Sequence, residues 1–261
     1  MDDILIFRRV EKKYRLTPQQ KEALLREVGD HLTPDAHGRS TICSLYLDTP
    51  EHLLIRNSID ARVYKEKLRL RSYGTPAKEE HVFLEIKKKY KGIVYKRRVV
   101  LSLTDAMQYI ISGEKPVESQ IMSEIDYAMH FYRQPKPAML IAYEREAYFD
   151  QNLPSLRITF DTNVRYRTGD LHLDHGHGGT LLLPDDAILM EIKTDGAMPL
   201  WLSHALSRLG ILPTSFSKYG TAYQVTQGLI PPLRPEEHAP PSPASINSPT
   251  MKGATPHVHT V

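Results

Sequence analysis

Lys67-Leu68-Arg69-Leu70-Arg71 decides the fold, because charged and apolar side chains alternate along it. A β-strand sends successive side chains to opposite faces, so this stretch predicts a strand with one cationic and one apolar face. Similar alternation recurs in Leu84-Glu85-Ile86-Lys87-Lys88-Lys89, Arg157-Ile158-Thr159-Phe160-Asp161 and Met190-Glu191-Ile192-Lys193. One such strand would suit a solvated edge. Several in one chain predict a shared cavity for a polyanion.

The overall composition is that of a soluble globular protein. The chain has 261 residues, of which 41% are hydrophobic and 25% charged, enough for one large domain or two small ones. Its formal net charge is only +3, so the arrangement of the basic residues matters more than their number. A general nucleic-acid coat protein is usually more basic, and we therefore expect no nucleic-acid partner.

Several features of the sequence predict a cytoplasmic location. Cys43 is the only cysteine, which excludes an intramolecular disulfide and suits a reducing compartment. The N-terminus has no basic region followed by a long apolar run, so no signal peptide is predicted. No segment approaches the roughly 20 apolar residues of a membrane-spanning helix, and we expect no transmembrane segment.

Hydrophobic periodicity predicts strands and helices over most of the chain. Strands are predicted near 4–14, 41–48, 62–74, 80–89, 94–101, 138–150, 155–168 and 186–193. Helices are predicted near 17–29, 50–57, 104–112, 117–131 and 199–209. Strands mostly follow strands, which favours an α+β fold with a largely antiparallel sheet.

The C-terminal segment differs from the rest of the chain. It begins with Pro231-Pro232, continues with further Pro and Ser, and offers too little apolar surface to offset the entropy of ordering. We therefore predict a folded domain over 1–230 and a disordered tail over 231–261.

The charged strand faces supply the candidate site. We expect helices to cover the apolar faces and the charged faces to line the inside of a closed barrel. Arginine suits bidentate phosphate binding, and lysine adds a mobile point charge. Carboxylates among these cations can hold a divalent metal that also contacts phosphate oxygens. The residues with this parity include Glu11, Lys13, Lys67, Arg69, Arg71, Glu85, Lys87, Lys89, Lys96, Arg98, Tyr143, Arg145, Arg157, Glu191 and Lys193, with Lys218 after the last predicted helix.

These residues resemble the VTC domain, the polyphosphate polymerase domain of the vacuolar transporter chaperone complex, in its free-standing bacterial form. This domain is one of the triphosphate tunnel metalloenzymes. The resemblance covers about residues 4–225 in order. The matching segments are Glu11-Lys12-Lys13-Tyr14, Tyr46-Leu47-Asp48-Thr49, Lys67-Leu68-Arg69-Leu70-Arg71, Leu84-Glu85-Ile86-Lys87, Lys96-Arg97-Arg98, Arg157-Ile158-Thr159-Phe160-Asp161, Glu191-Ile192-Lys193 and Ser217-Lys218-Tyr219.

The resemblance implies a closed, eight-stranded antiparallel tunnel that transfers the γ-phosphate of ATP to a growing polyphosphate chain. ATP and inorganic polyphosphate would then be the ligands, with Mg²⁺ or Mn²⁺ as cofactor. Whether a membrane-protein partner exports the product stays open, as does the oligomeric state. Phosphate binding would fall to Lys13, Arg69, Arg71, Lys87, Lys96, Arg98, Arg145, Arg157 and Lys218, joined on the same face by Lys67, Lys89, Tyr143 and Lys193. Glu191 would hold the metal, ahead of Glu11 and Glu85.

Other interpretations stay open at this point. The same basic tunnel would serve a hydrolase of tripolyphosphate or nucleoside triphosphates, or a protein that binds polyphosphate without turnover. Asp48 and Asp161 are expected to orient neighbouring groups rather than bind metal, and Tyr143 could bind phosphate or simply pack. The two histidines of His175-Gly176-His177 lack the third and fourth ligands of a metal site, so a solvated loop is expected there.

Overall fold

A computed structural model of the chain describes residues 10–60, 63–91 and 93–233. Ten strands and six α-helices account for most of this range, which confirms the α+β class. The strands are β1 (Val10–Leu16), β2 (Thr33–Asp48), β3 (Tyr64–Tyr73), β4 (His81–Tyr90), β5 (Ile93–Ser102), β6 (Lys136–Phe149), β7 (Arg157–Arg167), β8 (Thr180–Leu181), β9 (Ile188–Thr194) and β10 (Pro213–Thr214). The helices are α1 (Pro18–Val28), α2 (Leu53–Asp60), α3 (Leu103–Ser112), α4 (Gln120–Phe131), α5 (Leu200–Arg208) and α6 (Lys218–Thr226).

All ten strands form one antiparallel sheet that stays open. The strand order is β10-β1-β9-β7-β6-β2-β3-β4-β5, and β8 pairs with β7. The predicted closed barrel of eight strands is therefore wrong for the part of the chain that is described. At Lys13 and Tyr14, β1 pairs with β9 along one edge and with β10 along the other. No edge of β1 is therefore free to pair with β5 at these residues.

Eight of the strands correspond to the predicted ones. The two additional strands, β8 and β10, have two residues each and carry no readable periodicity. β2 begins at Thr33, ahead of the predicted start near 41, and its pairing with β6 shifts register between Pro34 and Arg39. The predicted start of the first strand near 4 and most of the predicted tail, residues 234–261, lie outside the described residues.

Local signals explain the helix starts that the sequence predicted. The Thr17 side chain accepts a hydrogen bond from the Gln20 backbone, and the Gln20 side chain accepts one from the Thr17 backbone, which closes a capping box. Ser102 caps α3, and Gly113 ends it with a positive φ of 77°. In the described part of the chain, no helix is long and apolar enough to cross a membrane.

Helix α6 is the element that the sequence analysis missed. It placed Lys218 beyond the last helix, whereas Lys218 is the first residue of α6, next to the N-cap Ser217. Gly220 and Thr221 are poor helix formers, so local propensity gave no signal there. Burial of Tyr219 and Tyr223 stabilises α6 instead.

Asp48 ties α6 to α2 through hydrogen bonds. The Tyr219 hydroxyl donates a hydrogen bond to the Asp48 carboxylate at 2.8 Å. The backbone amides of Leu54 and Ile55 donate to the same carboxylate at 2.8 and 3.0 Å. This buried carboxylate therefore serves α2 and α6, in agreement with its predicted structural role.

The strands bury their apolar faces under helices, as the alternation predicted. Leu68, Leu70 and Leu84 pack with residues of α3 and α4, and Ile158 and Ile192 pack with residues of α1 and α5. The opposite faces of the same strands carry the charged side chains. The sheet therefore has an outer face covered by α1, α3, α4 and α5. Its inner face carries the charged side chains and packs against α2 and α6 around Tyr46 and Tyr143.

Candidate functional site

The charged inner face curls until distant strands touch through their side chains. Lys87 on β4 lies 3.4 Å from a carboxylate oxygen of Glu11 on β1, although the two strands are not hydrogen-bonded to each other. Lys67 on β3 donates to the Ser217 hydroxyl at 2.8 Å, next to the first residue of α6. These contacts bring charged side chains from both halves of the chain together on the inner face, and we call the space that they surround the cavity.

Glu191 stands at the centre of a cluster of cations. Its carboxylate oxygens lie 2.8 Å from Lys193, 3.5 Å from Lys13, 3.6 Å from Lys218 and 3.9 Å from Arg145. Burial alone would raise the pKa of Glu191, but these four cations hold it well below its usual range. The carboxylate is thus a permanent anion among positive charges.

Asp161 orients two of these cations. It is fully buried and accepts a bidentate pair of hydrogen bonds from Arg145, at 2.6 and 2.7 Å. Lys218 donates to the same carboxylate at 2.5 Å. Burial would lower the pKa of Lys218, but Asp161 and Glu191 raise it above its usual value, so the ammonium keeps its charge.

Glu85 anchors a second group, around Arg69. Its carboxylate, almost fully buried, accepts from Arg69 at 2.7 Å and lies 2.5 Å from the Lys96 ammonium. Burial would raise the pKa of Glu85, but Arg69, Arg71 and Lys96 lower it to about 2. Glu85 was the third predicted metal ligand. The structure places it against these cations and not beside Glu191.

Tyrosines brace the arginines and share in their electrostatics. Arg69 donates to the Tyr46 hydroxyl and Arg71 donates to the Tyr143 hydroxyl, both at 3.3 Å. Burial opposes ionisation of Tyr46, but Arg69, Lys67 and Arg71 lower its pKa to about 8. Burial and the neighbouring cations also lower the pKa of Lys67 to about 8.

Four predicted residues lie at the rim of the cavity. Lys89 is exposed at the end of β4, and Lys96 and Arg98 are exposed on the edge strand β5. The Arg157 side chain is 52% exposed and pairs with Asp35 at 2.8 Å. Parity assigned these side chains to the correct face but did not predict their depth.

A divalent cation fits the oxygen donors near Glu191. The Thr159 hydroxyl is buried without a hydrogen-bond partner, and Thr159 faces Glu191 in the β7–β9 register. Hydroxyl and carboxylate oxygens are ligands that Mg²⁺ and Mn²⁺ accept. Among the described residues the carboxylates do not converge closely enough for three of them to share an ion, so phosphate oxygens would have to complete the coordination.

Thr159 had no assigned role in the sequence analysis, although its parity places it between Arg157 and Asp161 on the inner face. The second residue without an assigned role is Ser217. Serine is a preferred N-cap residue, so its position could have indicated the start of a helix. In the structure the Ser217 hydroxyl accepts a hydrogen bond from the Gly220 amide at 3.1 Å.

Comparison with known proteins gives one match to a family model. The model described as the VTC domain matches residues 8–227. No curated protein matches the chain.

Several solved structures are similar at low sequence identity. A candidate adenylate cyclase from Bacillus halodurans is 13% identical, with 80% of this chain and 92% of that chain covered and a TM-score of 0.49. A candidate adenylyl cyclase from Hippeastrum, described as having a dominant triphosphatase activity, is 16% identical, with 85% and 98% covered and a TM-score of 0.48.

Proposed function

Because the chain belongs to the VTC domain family, we propose that it is a metal-dependent polyphosphate polymerase. It transfers the γ-phosphate of ATP to the terminal phosphate of an inorganic polyphosphate chain and releases ADP. Support comes from a cavity in which Lys and Arg outnumber the carboxylates Glu11, Glu85, Asp161 and Glu191. Such an excess of positive charge favours a ligand with several phosphates.

The observation that carries the proposal is that every carboxylate in this cavity is paired with cations. Burial would raise the pKa of Glu11, but Lys87, Lys193 and Lys13 lower it to about 2. The pKa of Glu85 is also about 2, and those of Asp161 and Glu191 are lowered. Carboxylates with such low pKa values are weak general bases for activating water. A terminal phosphate oxygen is already anionic and needs no such base, which favours phosphate over water as the attacking group.

Positioning and charge neutralisation then account for catalysis. We assign the γ-phosphate to Lys13, Lys218 and Arg145 near Glu191, and the neighbouring phosphates to Arg69, Arg71 and Lys87. Glu191 and Thr159 would hold Mn²⁺ or Mg²⁺ with Glu11 nearby, and the metal, when bound, would neutralise charge on the phosphate oxygens. Glu85 would position Arg69 and Lys96.

Sizing the products of purified protein incubated with ATP and Mn²⁺ tests this function. We expect a ladder of long polyphosphate chains on a gel. Orthophosphate alone would instead identify a hydrolase, and chelator-insensitive polyphosphate binding without turnover would identify a binding protein. Glu191→Gln should abolish synthesis. Glu144→Gln, on the outer face beside Thr41 and Arg39, should leave it unchanged.

Binding of tripolyphosphate should weaken as the pH rises through about 8, since Lys67 and Lys96 lose their protons there. Each lost charge-assisted contact is expected to weaken binding about tenfold. Calorimetric titration without metal between pH 7 and 9 measures this. Lys67→Arg keeps its charge and should flatten the profile, which separates the protein's titration from that of the ligand. An identical profile for both proteins would contradict the assignment.

The titration of Lys67 has the opposite effect on the stability of the free protein: stability rises with pH where affinity for the ligand falls. The folded pKa of Lys67 lies below its value of 10.5 in the unfolded chain, so the unfolded state binds more protons between about pH 8 and 10.5. The contribution of Lys67 to stability therefore rises with pH across that window, while affinity for the polyanion falls.

A further inference from the structure

The segment between β7 and β8 is built around one arginine. The guanidinium of Arg167 donates hydrogen bonds to four backbone carbonyls of this segment. Their acceptors are Asp170 at 2.7 Å, His172 at 2.6 Å, Gly176 at 2.9 Å and Gly178 at 3.2 Å. The segment thus has a defined backbone, while the side chains of His175 and His177 are exposed, as expected for a solvated loop.

Gly179 adds a second constraint on this segment. Its φ is 153°, and a Cβ at this position would lie 2.5 Å from the Tyr166 carbonyl oxygen. The chain therefore passes so close to β7 that only glycine fits without movement of the backbone.

This backbone brings three metal-ligating side chains together. His172, Asp174 and His175 each offer one ligand atom, and these atoms lie within 4.8 Å of one another. The sequence analysis had paired His175 with His177, which left the site short of ligands. The short helical turn over Leu173–His175 supplies Asp174 and brings in His172.

We propose that His172, Asp174 and His175 bind a Zn²⁺ ion. Imidazole nitrogen and carboxylate oxygen are ligands that Zn²⁺ takes, and three protein ligands leave a fourth position for water. Bonds of about 2.0–2.2 Å require ligand atoms about 3.3–3.6 Å apart in a tetrahedron. These side chains are exposed, so binding the ion would have to draw their ligand atoms closer together by side-chain rotation.

Asp170 completes the site without binding the metal. Its carboxylate lies 2.6 Å from Nδ1 of His175, which fixes the ring tautomer and leaves Nε2 as an acceptor. Histidine ligands of zinc commonly donate their second nitrogen to such a carboxylate. The rings of His172 and His175 also stack, with centroids 4.7 Å apart, so they are already ordered relative to each other.

The proposed zinc site lies on the other face of the sheet from the phosphate-binding cavity. Leu173, between two of the ligands, is buried in the outer-face cluster with Leu68 and Leu70. Zinc would therefore hold the 168–179 segment on the outer face, and would not take part in phosphoryl transfer.

Calorimetric titration of the chelator-treated full chain with Zn²⁺, in buffer without phosphate, tests this site. We expect one tight Zn²⁺ per chain, lost in the double variant His172→Ala/His175→Ala. Asp170→Asn should keep the ion but weaken its binding about 10–100-fold. Wild-type protein loaded with Co²⁺ should show the visible absorption of a nitrogen- and oxygen-ligated ion, which the double variant should lack.

Three controls locate the ion. His204→Ala, an exposed position on α5, should bind Zn²⁺ like the wild type. So should Glu191→Gln, and so should the triple substitution of His238, His257 and His259 by Ala. Equal Zn²⁺ affinity in the double variant, or loss of tight binding in any of these controls, would overturn the proposal. A Zn²⁺-dependent rise in melting temperature in the wild type, absent from the double variant, separates loss of the site from loss of the fold.

Discussion

Replacing Lys218 with Ala is expected to lower the rate of ATP-dependent polyphosphate synthesis by about 10²–10³-fold, the usual loss when one preorganised donor is removed. Lys218 lies 2.5 Å from Asp161 and 3.6 Å from Glu191, at the first residue of α6. Arg145 is fixed on Asp161 by two hydrogen bonds, whereas the ammonium of Lys218 can turn its remaining protons toward a phosphate.

The fold should survive this change, because Asp161 keeps its bidentate pair with Arg145. Lys21→Ala is the matched control: it removes another short lysine–carboxylate pair, in which Lys21 lies 2.8 Å from Glu146, on the outer face. That variant should synthesise polyphosphate at the wild-type rate. An unchanged rate in Lys218→Ala, measured on folded protein, would remove Lys218 from the reacting centre.

Asp161→Asn is expected to destabilise the free protein by about 3–5 kcal/mol, the range for breaking a buried ion pair. The change leaves the buried cations Arg145 and Lys218 without the carboxylate that both contact. Urea unfolding measures the loss. Glu146→Gln, which breaks a more exposed pair with Lys21, should cost less than about 1 kcal/mol and serves as the control.

Tripolyphosphate should recover much of this loss, because it replaces the missing anion beside Arg145 and Lys218. A ligand at about 100 times its dissociation constant stabilises the folded state by about 2.7 kcal/mol. The rise in melting temperature should therefore be at least as large for Asp161→Asn as for the wild type. Destabilisation without rescue would show that Asp161 supports the packing of the sheet and not the charge balance of the cavity.

The sequence predicted what depends on strand periodicity. Alternation along β3 and β4 was enough to place Arg69, Arg71 and Lys87 on one face, opposite Leu68 and Leu84. It could not predict depth, so it did not distinguish Lys89 and Arg157, which lie at the rim, from the buried residues of the same face.

Features that depend on long-range geometry were not readable. Whether the sheet closes depends on which strands take the two edges of β1, and no local pattern encodes that choice. Helix α6 owes its stability to the burial of Tyr219 and not to propensity. His172 and Asp174 lie close to His175 because Arg167 holds the backbone of one short turn. The spacing of these three residues in the sequence matches no standard metal-binding motif, so it did not predict the site.

The order of the strands also sets when the cavity can exist during synthesis of the chain. β3, β4 and β5 are consecutive hairpins, so the Arg69–Glu85 half of the cavity can assemble soon after residue 102 emerges. β1 must wait for β9, where Lys13 meets Glu191, and Lys218 follows later still. Contacts between distant segments form late in folding. A nascent chain therefore carries an incomplete set of these charged groups, and the set becomes complete only after β9 and Lys218 have left the ribosome.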